Sequence, residues 1–187
     1  TEPLSLRAIP SESPVRAVLE LKGGTAEFFG IKPGDQVTHG IFTSTNDGEI
    51  TGNARIIDGN TIQINETEIR LYNIDAPEDL QECSNADGSL YHCGQLSVYE
   101  LSLLTVGQDV RCVIDRTDID GHRLGTCFVA DMNINREMVA RGWAVVYRNK
   151  KYDEDYLHTE RLAKKLGNGM WRGAFVMPWE WRQGIRG

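Results

Sequence analysis

Cys112 and Cys127 stand at equal distances from the centre of the acid-rich stretch "RTDIDGHR", residues 116–123, and this symmetry constrains the fold more than any other feature. If a turn is centred on Ile119 and Asp120, the flanks "DVRCVID" and "RLGTCFVAD" pair as an antiparallel hairpin that sets the two cysteines opposite each other. The other two cysteines, Cys83 and Cys93, would close a short loop in "ECSNADGSLYHC", a closure worth on the order of 2–3 kcal/mol in the chain-entropy model. None of the four forms a CxxC pair or a Cys/His cluster at zinc-site spacing. Two disulfides are therefore expected, and with them an oxidising compartment, secreted or periplasmic. A first residue Thr1 rather than Met suits a mature secreted chain and equally a piece of a longer one.

The rest of the chain reads as short strands interrupted by helices. Residues 1–52 carry turn signals such as Pro33-Gly34-Asp35 and Asn46-Asp47-Gly48 between short apolar alternations, which predicts an N-terminal β-rich extension. From Asn53, "ARIIDGNTIQINETEIRLYNIDAPE" alternates with period two, with turns at Asp58-Gly59-Asn60 and Asn65-Glu66-Thr67. "GQLSVYELSLLTVG" has helical spacing, and "NINREMVARG" predicts a short helix followed by an extended "WAVVY". "DEDYLHTERLAKKLGNG" predicts a last helix, with acids in its first turn, bases in its last and Gly167 as the stop. This order suits an α+β protein, with residues 53–187 forming a small Greek-key barrel such as an OB-fold.

The net charge is −7, which argues against a general nucleic-acid binder with a wholly basic surface. The charge is unevenly spread. Residues 53–135 hold 5 Lys/Arg against 14 Asp/Glu, while residues 136–187 hold 11 against 6, so a basic C-terminal face persists in an acidic protein. Lys150-Lys151 and Lys164-Lys165 could touch a polyanion there, or simply form a solvated face. No run of 18 apolar residues predicts a membrane-spanning helix, and a monomer is expected. The four tryptophans, Trp143, Trp171, Trp179 and Trp181, are expected to pack helices and tail rather than stack on bases. His39, His92 and His158 show no ligand spacing and read as surface residues.

Arg70, Asp75 and Glu78, with Asp58 and Asn60 one hairpin earlier, form the densest polar constellation. Pro77 fixes a rigid exit from a strand and can aim the two carboxylates at one point. Paired carboxylates beside a cation suit a hard-metal site with a general base, although acids near turns are also commonplace.

"IIDGNTIQINETEIRLYNIDAPE", "RTDIDGHRLGTCFV", "NINREMVARGWA" and "GNGMWRG" resemble, in that order, the motifs of the staphylococcal nuclease family over residues 53 to about 175. The cysteine-bearing insert and the tail "PWEWRQG" are similar to secreted or periplasmic bacterial members, some of them from exopolysaccharide gene clusters. The resemblance implies a five-stranded OB barrel with about three helices and Ca²⁺-dependent hydrolysis of phosphodiesters in DNA and RNA. It further implies that Arg70 grips the scissile phosphate and that Glu78 is the general base or orients the attacking water. Asp75 would bind calcium by its carboxylate, and Ala76 by its backbone oxygen.

Three positions depart from the family pattern. Asn60 replaces a calcium carboxylate, so calcium should be held more weakly. His122 stands where the second catalytic arginine is expected, and Asp120 adds negative charge beside it. Arg123 cannot replace that arginine, because the next residue on a strand faces the other way. Losing a transition-state arginine can cost roughly 10³-fold or more, about 4 kcal/mol. The expectation is a degenerate phosphodiesterase site, weakly active or inactive, in a binding or structural module whose partner is nucleic acid or another polyanion. The alternative is a functional Ca²⁺-dependent extracellular nuclease in which His122 acts when protonated.

Overall fold

The computed structural model describes residues 32, 48–118, 121–148 and 153–186. The described residues from 48 onward belong to one compact unit, Asn46–Gly187. The expected N-terminal hairpins, His39, Asp120 and Lys150-Lys151 all lie outside the described residues.

The barrel begins with β1 (Glu49–Asp58), β2 (Thr61–Ile64) and β3 (Thr67–Leu71), three strands joined by the two turns read from the sequence. β1 starts four residues ahead of Asn53, because Glu49–Asn53 pair with Val113–Asp109 further along the chain. Asp58 Oδ1 accepts the Asn60 N–H at 2.8 Å and shapes the first turn. Gly59 is required there: a Cβ would collide with the Ser97 hydroxyl and the Ala76 methyl. In the second turn Asn65 takes the left-handed φ of 54° that asparagine tolerates. Ile62 and Ile69 face each other across β2 and β3, and with Ile64 and Leu71 they are buried, as period-two alternation requires.

Two longer strands, β7 (Asp109–Thr117) and β8 (Arg123–Val129), pair antiparallel as the expected hairpin. Cys112 pairs directly with Cys127 in its register, and the Cys112–Cys127 and Cys83–Cys93 disulfides are both present. β7 also pairs antiparallel with β1, and β8 pairs parallel with β3 at Ile69–Arg123 and Leu71–Gly125. The circuit β1-β2-β3-β8-β7 closes a five-stranded barrel, which removes the exposed edges an open sheet would present.

The shorter strands are β4 (Ile74–Asp75), β5 (Glu82–Ser84), β6 (Leu90–His92), β9 (Met132–Asn133) and β10 (Val145–Val146). β4 pairs with β10, and β5 pairs with β6 inside the Cys83–Cys93 loop. Helices α1 (Cys93–Thr105), α2 (Ile134–Ala140) and α3 (Glu154–Leu166) match the three read from sequence, and α4 (Pro178–Arg182) is a short helix that was not. α2 is capped by Asn133, whose side chain accepts from the Arg136 N–H; α3 is capped by Asp153 and stopped by Gly167 at φ 67°. Leu101 of α1 and Ile134, Met138 and Val139 of α2 join the barrel isoleucines in one core. Trp143 is buried in this core, while Trp171 and Trp179 pack against it.

Candidate functional site

One face of the barrel opens into a cavity of about 510 Å³. The β1–β2 turn contributes Asp58 and Asn60 to its wall, and β3 contributes Arg70, exposed between the buried Ile69 and Leu71. Asp75 enters from β4, and Glu78 from the turn beyond Pro77. The sequence-predicted constellation is thus assembled at one place. Ala76 is buried beside Gly59 rather than in the cavity wall.

Long-range contacts fix the two carboxylates. Asp75 pairs in register with Val145 of β10. β10 is in turn held by buried Glu160 on α3, whose Oε1 accepts the Val146 N–H at 2.7 Å while Oε2 pairs with Arg148 at 2.6 Å. The Glu78 N–H donates to Gln81 Oε1 at 3.3 Å. Gln81 is fully buried, and its Nε2 donates to the Val176 carbonyl at 2.7 Å, so the turn carrying Glu78 is tied to the C-terminal tail.

That tail delivers a residue that sequence reasoning missed. Arg182, at the end of α4, donates from Nη1 and Nη2 to the two oxygens of Asp75 at 3.1 and 2.6 Å, and from Nη1 to Glu78 Oε1 at 2.6 Å. Asp75 is 4% exposed. Its burial pushes the carboxyl above the usual aspartate range, while Arg182, and more weakly Arg70, pull it back. The same three bonds hold Arg182 firmly charged. No local pattern signals this contact, which joins residues 107 positions apart.

A second missed cation is Arg116, which lines the cavity with its guanidinium 4.9 Å from the centre of the Tyr72 ring. The β7–β8 register shifts between Ile114 and Arg116, and a bulge of this kind re-aims the side chain that follows it. His122 is placed differently from the arginine whose position it takes. Asp118 accepts its backbone N–H at 2.8 Å and faces its Nδ1 at 3.1 Å. His122 lines a separate pocket of about 110 Å³, which shares Asp58 and Arg70 with the main cavity. Arg123 lines neither space.

The donors do not fit calcium as they are arranged. Ca²⁺ takes six to eight oxygens at about 2.3–2.6 Å, and both oxygens of Asp75 are already engaged by Arg182. Asn60 brings a neutral amide whose Nδ2 leans on the Ile74 carbonyl at 3.5 Å. Among the described residues no group of three or more His, Cys, Asp or Glu side chains is disposed to hold a metal ion.

The family model described as "Staphylococcal nuclease homologue" matches residues 68–173, more than half of the chain. The chain belongs to the staphylococcal nuclease family. It is 37% identical over 125 residues to the succinoglycan biosynthesis protein ExoI of Rhizobium meliloti (strain 1021), covering 66% of this chain and 65% of that protein. An uncharacterized endonuclease of Escherichia coli O157:H7 is 33% identical over 134 residues, covering 68% of this chain and 81% of that one. One from Haemophilus influenzae (strain ATCC 51907 / DSM 11121 / KW20 / Rd) is 30% identical over 135 residues, with 69% and 70% covered. The chain therefore spans just under two thirds of the ExoI relative's length. Both the β3 arginine and the two carboxylates fall inside the family match, whereas Arg182 falls beyond it.

Two disulfides point to an extracellular or periplasmic environment. No helix of the described residues is long and apolar enough to cross a membrane.

Proposed function

We propose that this protein is a secreted or periplasmic nucleic-acid-binding member of the nuclease family, with a degenerate calcium-dependent phosphodiesterase centre. The observation that carries this reading is the placement of Arg182 between Asp75 and Glu78, with His122 turned to Asp118 beside the cavity instead of into it. Arg70 and Arg116 offer two cations to a phosphate at the cavity mouth, and guanidinium groups suit phosphate oxygens. Glu78, the general-base candidate, is neutralised by an ion pair, and Asn60 supplies no charge to a metal ion. Binding of phosphate is thereby favoured over its hydrolysis.

The alternative, a working Ca²⁺-dependent nuclease, draws on Arg116, which brings a second arginine to the cavity from a strand position other than that of His122. The names of the Escherichia coli and Haemophilus relatives agree with it.

Incubation of plasmid DNA and RNA with millimolar Ca²⁺ or with EDTA separates the two readings. The degenerate site predicts little or no cleavage in either condition, and a rise in the double variant Asn60→Asp, His122→Arg with calcium. Rapid cleavage by the unmodified protein that EDTA abolishes would establish the alternative.

A further inference from the structure

Arg182 is presented by a built structure and is not a side chain lying by chance on a surface acid. The tail is docked by Ser84, whose N–H and Oγ both donate to the Ala174 carbonyl at 2.8 and 3.1 Å, and by the buried Gln81 amide on Val176. The Cys83–Cys93 disulfide closes the loop that contains Ser84 and begins two residues after Gln81. Pro178 opens α4 and is buried, and the Trp179 ring stands edge-on to Tyr147, which lines the same cavity, with centroids 6.4 Å apart. At the end of this path the guanidinium engages three carboxylate oxygens on two acids, one of the acids almost fully buried. Charge-assisted, partly bidentate bonds of this type are the strong class of hydrogen bond. A buried carboxylate requires a positive partner, and here the chain itself provides it.

We propose that Arg182 is a tethered counter-cation that occupies Asp75 and Glu78 in place of a divalent metal ion. A free cation reaches this pair only when the C-terminal tail releases it. The proposal rests on reading Asp75 and Glu78 as the cation-binding side of the phosphodiester site. It adds that competition within the chain, beyond the missing carboxylate at Asn60, weakens the hold of this pair on calcium. If the guanidinium holds the pair about nine-tenths of the time, the apparent affinity for a competing cation falls about tenfold.

The test is calorimetric titration of the disulfide-intact protein with Ca²⁺ in the absence of nucleic acid, alongside thermal melts with and without the ion. Arg182→Gln is expected to bind Ca²⁺ about tenfold more tightly than the unmodified chain, and to gain thermal stability on adding calcium where the unmodified chain does not. Adding Asp75→Asn to that variant should abolish both responses, which locates the ion. Should Arg182→Gln fail to fold, Arg182→Lys keeps the charge but loses the bidentate fork, and should still bind calcium several-fold more tightly than the unmodified chain. Equal calcium affinity in the unmodified chain and the variants, or no binding by any of them, overturns the proposal. Single-stranded DNA binding measured on the same samples separates the two readings. Tight calcium binding by Arg182→Gln with no DNA binding by any form leaves the counter-cation and removes the nucleic-acid reading, and the opposite pattern does the reverse.

Discussion

Asn135 accepts the backbone N–H of Cys127 on its Oδ1 at 3.0 Å, from a side chain with no exposed surface. Its Nδ2 donates to the Gly125 carbonyl at 3.0 Å and to the Tyr72 carbonyl at 3.1 Å. One residue at the start of α2 thus ties β8 to the chain leaving β3, at the parallel seam that closes the barrel. Asn135→Ala leaves the Cys127 N–H and the Tyr72 carbonyl without this partner, at about 1–3 kcal/mol each, and strips one of two bonds from the Gly125 carbonyl, which keeps the Tyr72 N–H at 2.8 Å. The expected loss is roughly 3 kcal/mol or more in urea denaturation, and a loss below about 1 kcal/mol would contradict this role.

The cavity makes different demands on its cations. Arg70→Ala and Arg116→Ala should each weaken binding of a labelled single-stranded oligonucleotide several-fold at low salt and flatten its salt dependence by about one unit of slope. His122→Ala should change binding less than about twofold, since Asp118 holds that ring beside the cavity. Fluorescence anisotropy at several salt concentrations reads both effects. A loss with His122→Ala as large as with Arg70→Ala would restore histidine to the binding site.

Tyr156 sets a limit on alkaline stability. Burial on α3 pushes its phenol up to about 12, above its ordinary value of 10.0, with the hydrogen bond to Asn133 pulling the other way. The folded state therefore holds the proton more tightly than the unfolded chain does. Stability from this group is complete below pH 10 and is lost as pH rises from 10 through about 12. A shift of two units corresponds to about 2–3 kcal/mol at most. Urea titrations at pH 9 and 11.5 should show the unmodified protein losing more stability between the two than Tyr156→Phe. Parallel losses would place the phenol in solvent.

The smaller disulfide should matter for both stability and the site. Replacing Cys83 and Cys93 together by alanine opens a loop of sequence separation 10, and a cost of about 2–3 kcal/mol is expected. The same variant loosens the loop whose Ser84 anchors Ala174, so Ca²⁺ should bind it more tightly than the unmodified chain. Calorimetry on the double alanine variant checks this, and unchanged calcium affinity would separate the disulfide from the placement of Arg182.

Much of the barrel was legible because its signals are local. Period-two alternation placed β1 to β3, the cysteine symmetry set the β7–β8 register, and Gly167 marked the end of α3. The start of β1 at Glu49 was hidden, since a strand end fixed by pairing with residues some 60 positions away leaves no trace in its own composition. Arg70, Asp75 and Glu78 were found because they lie within one strand and its exit. His122 was read by its position in the motif, and the contact with Asp118, which places its ring, left no trace in that reading.

The sequence by itself determined the barrel and its hairpins, the pairing of the cysteines, and the gathering of Arg70 with two acids, because each follows from spacing along a strand or turn. The partner of those acids was decided by the tertiary structure alone. Arg182 reaches Asp75 across 107 residues, through a tail whose path is set by Ser84, buried Gln81 and the packing of Trp179. A buried carboxylate requires a compensating positive charge, but only the folded chain decides which cation lies within hydrogen-bond reach.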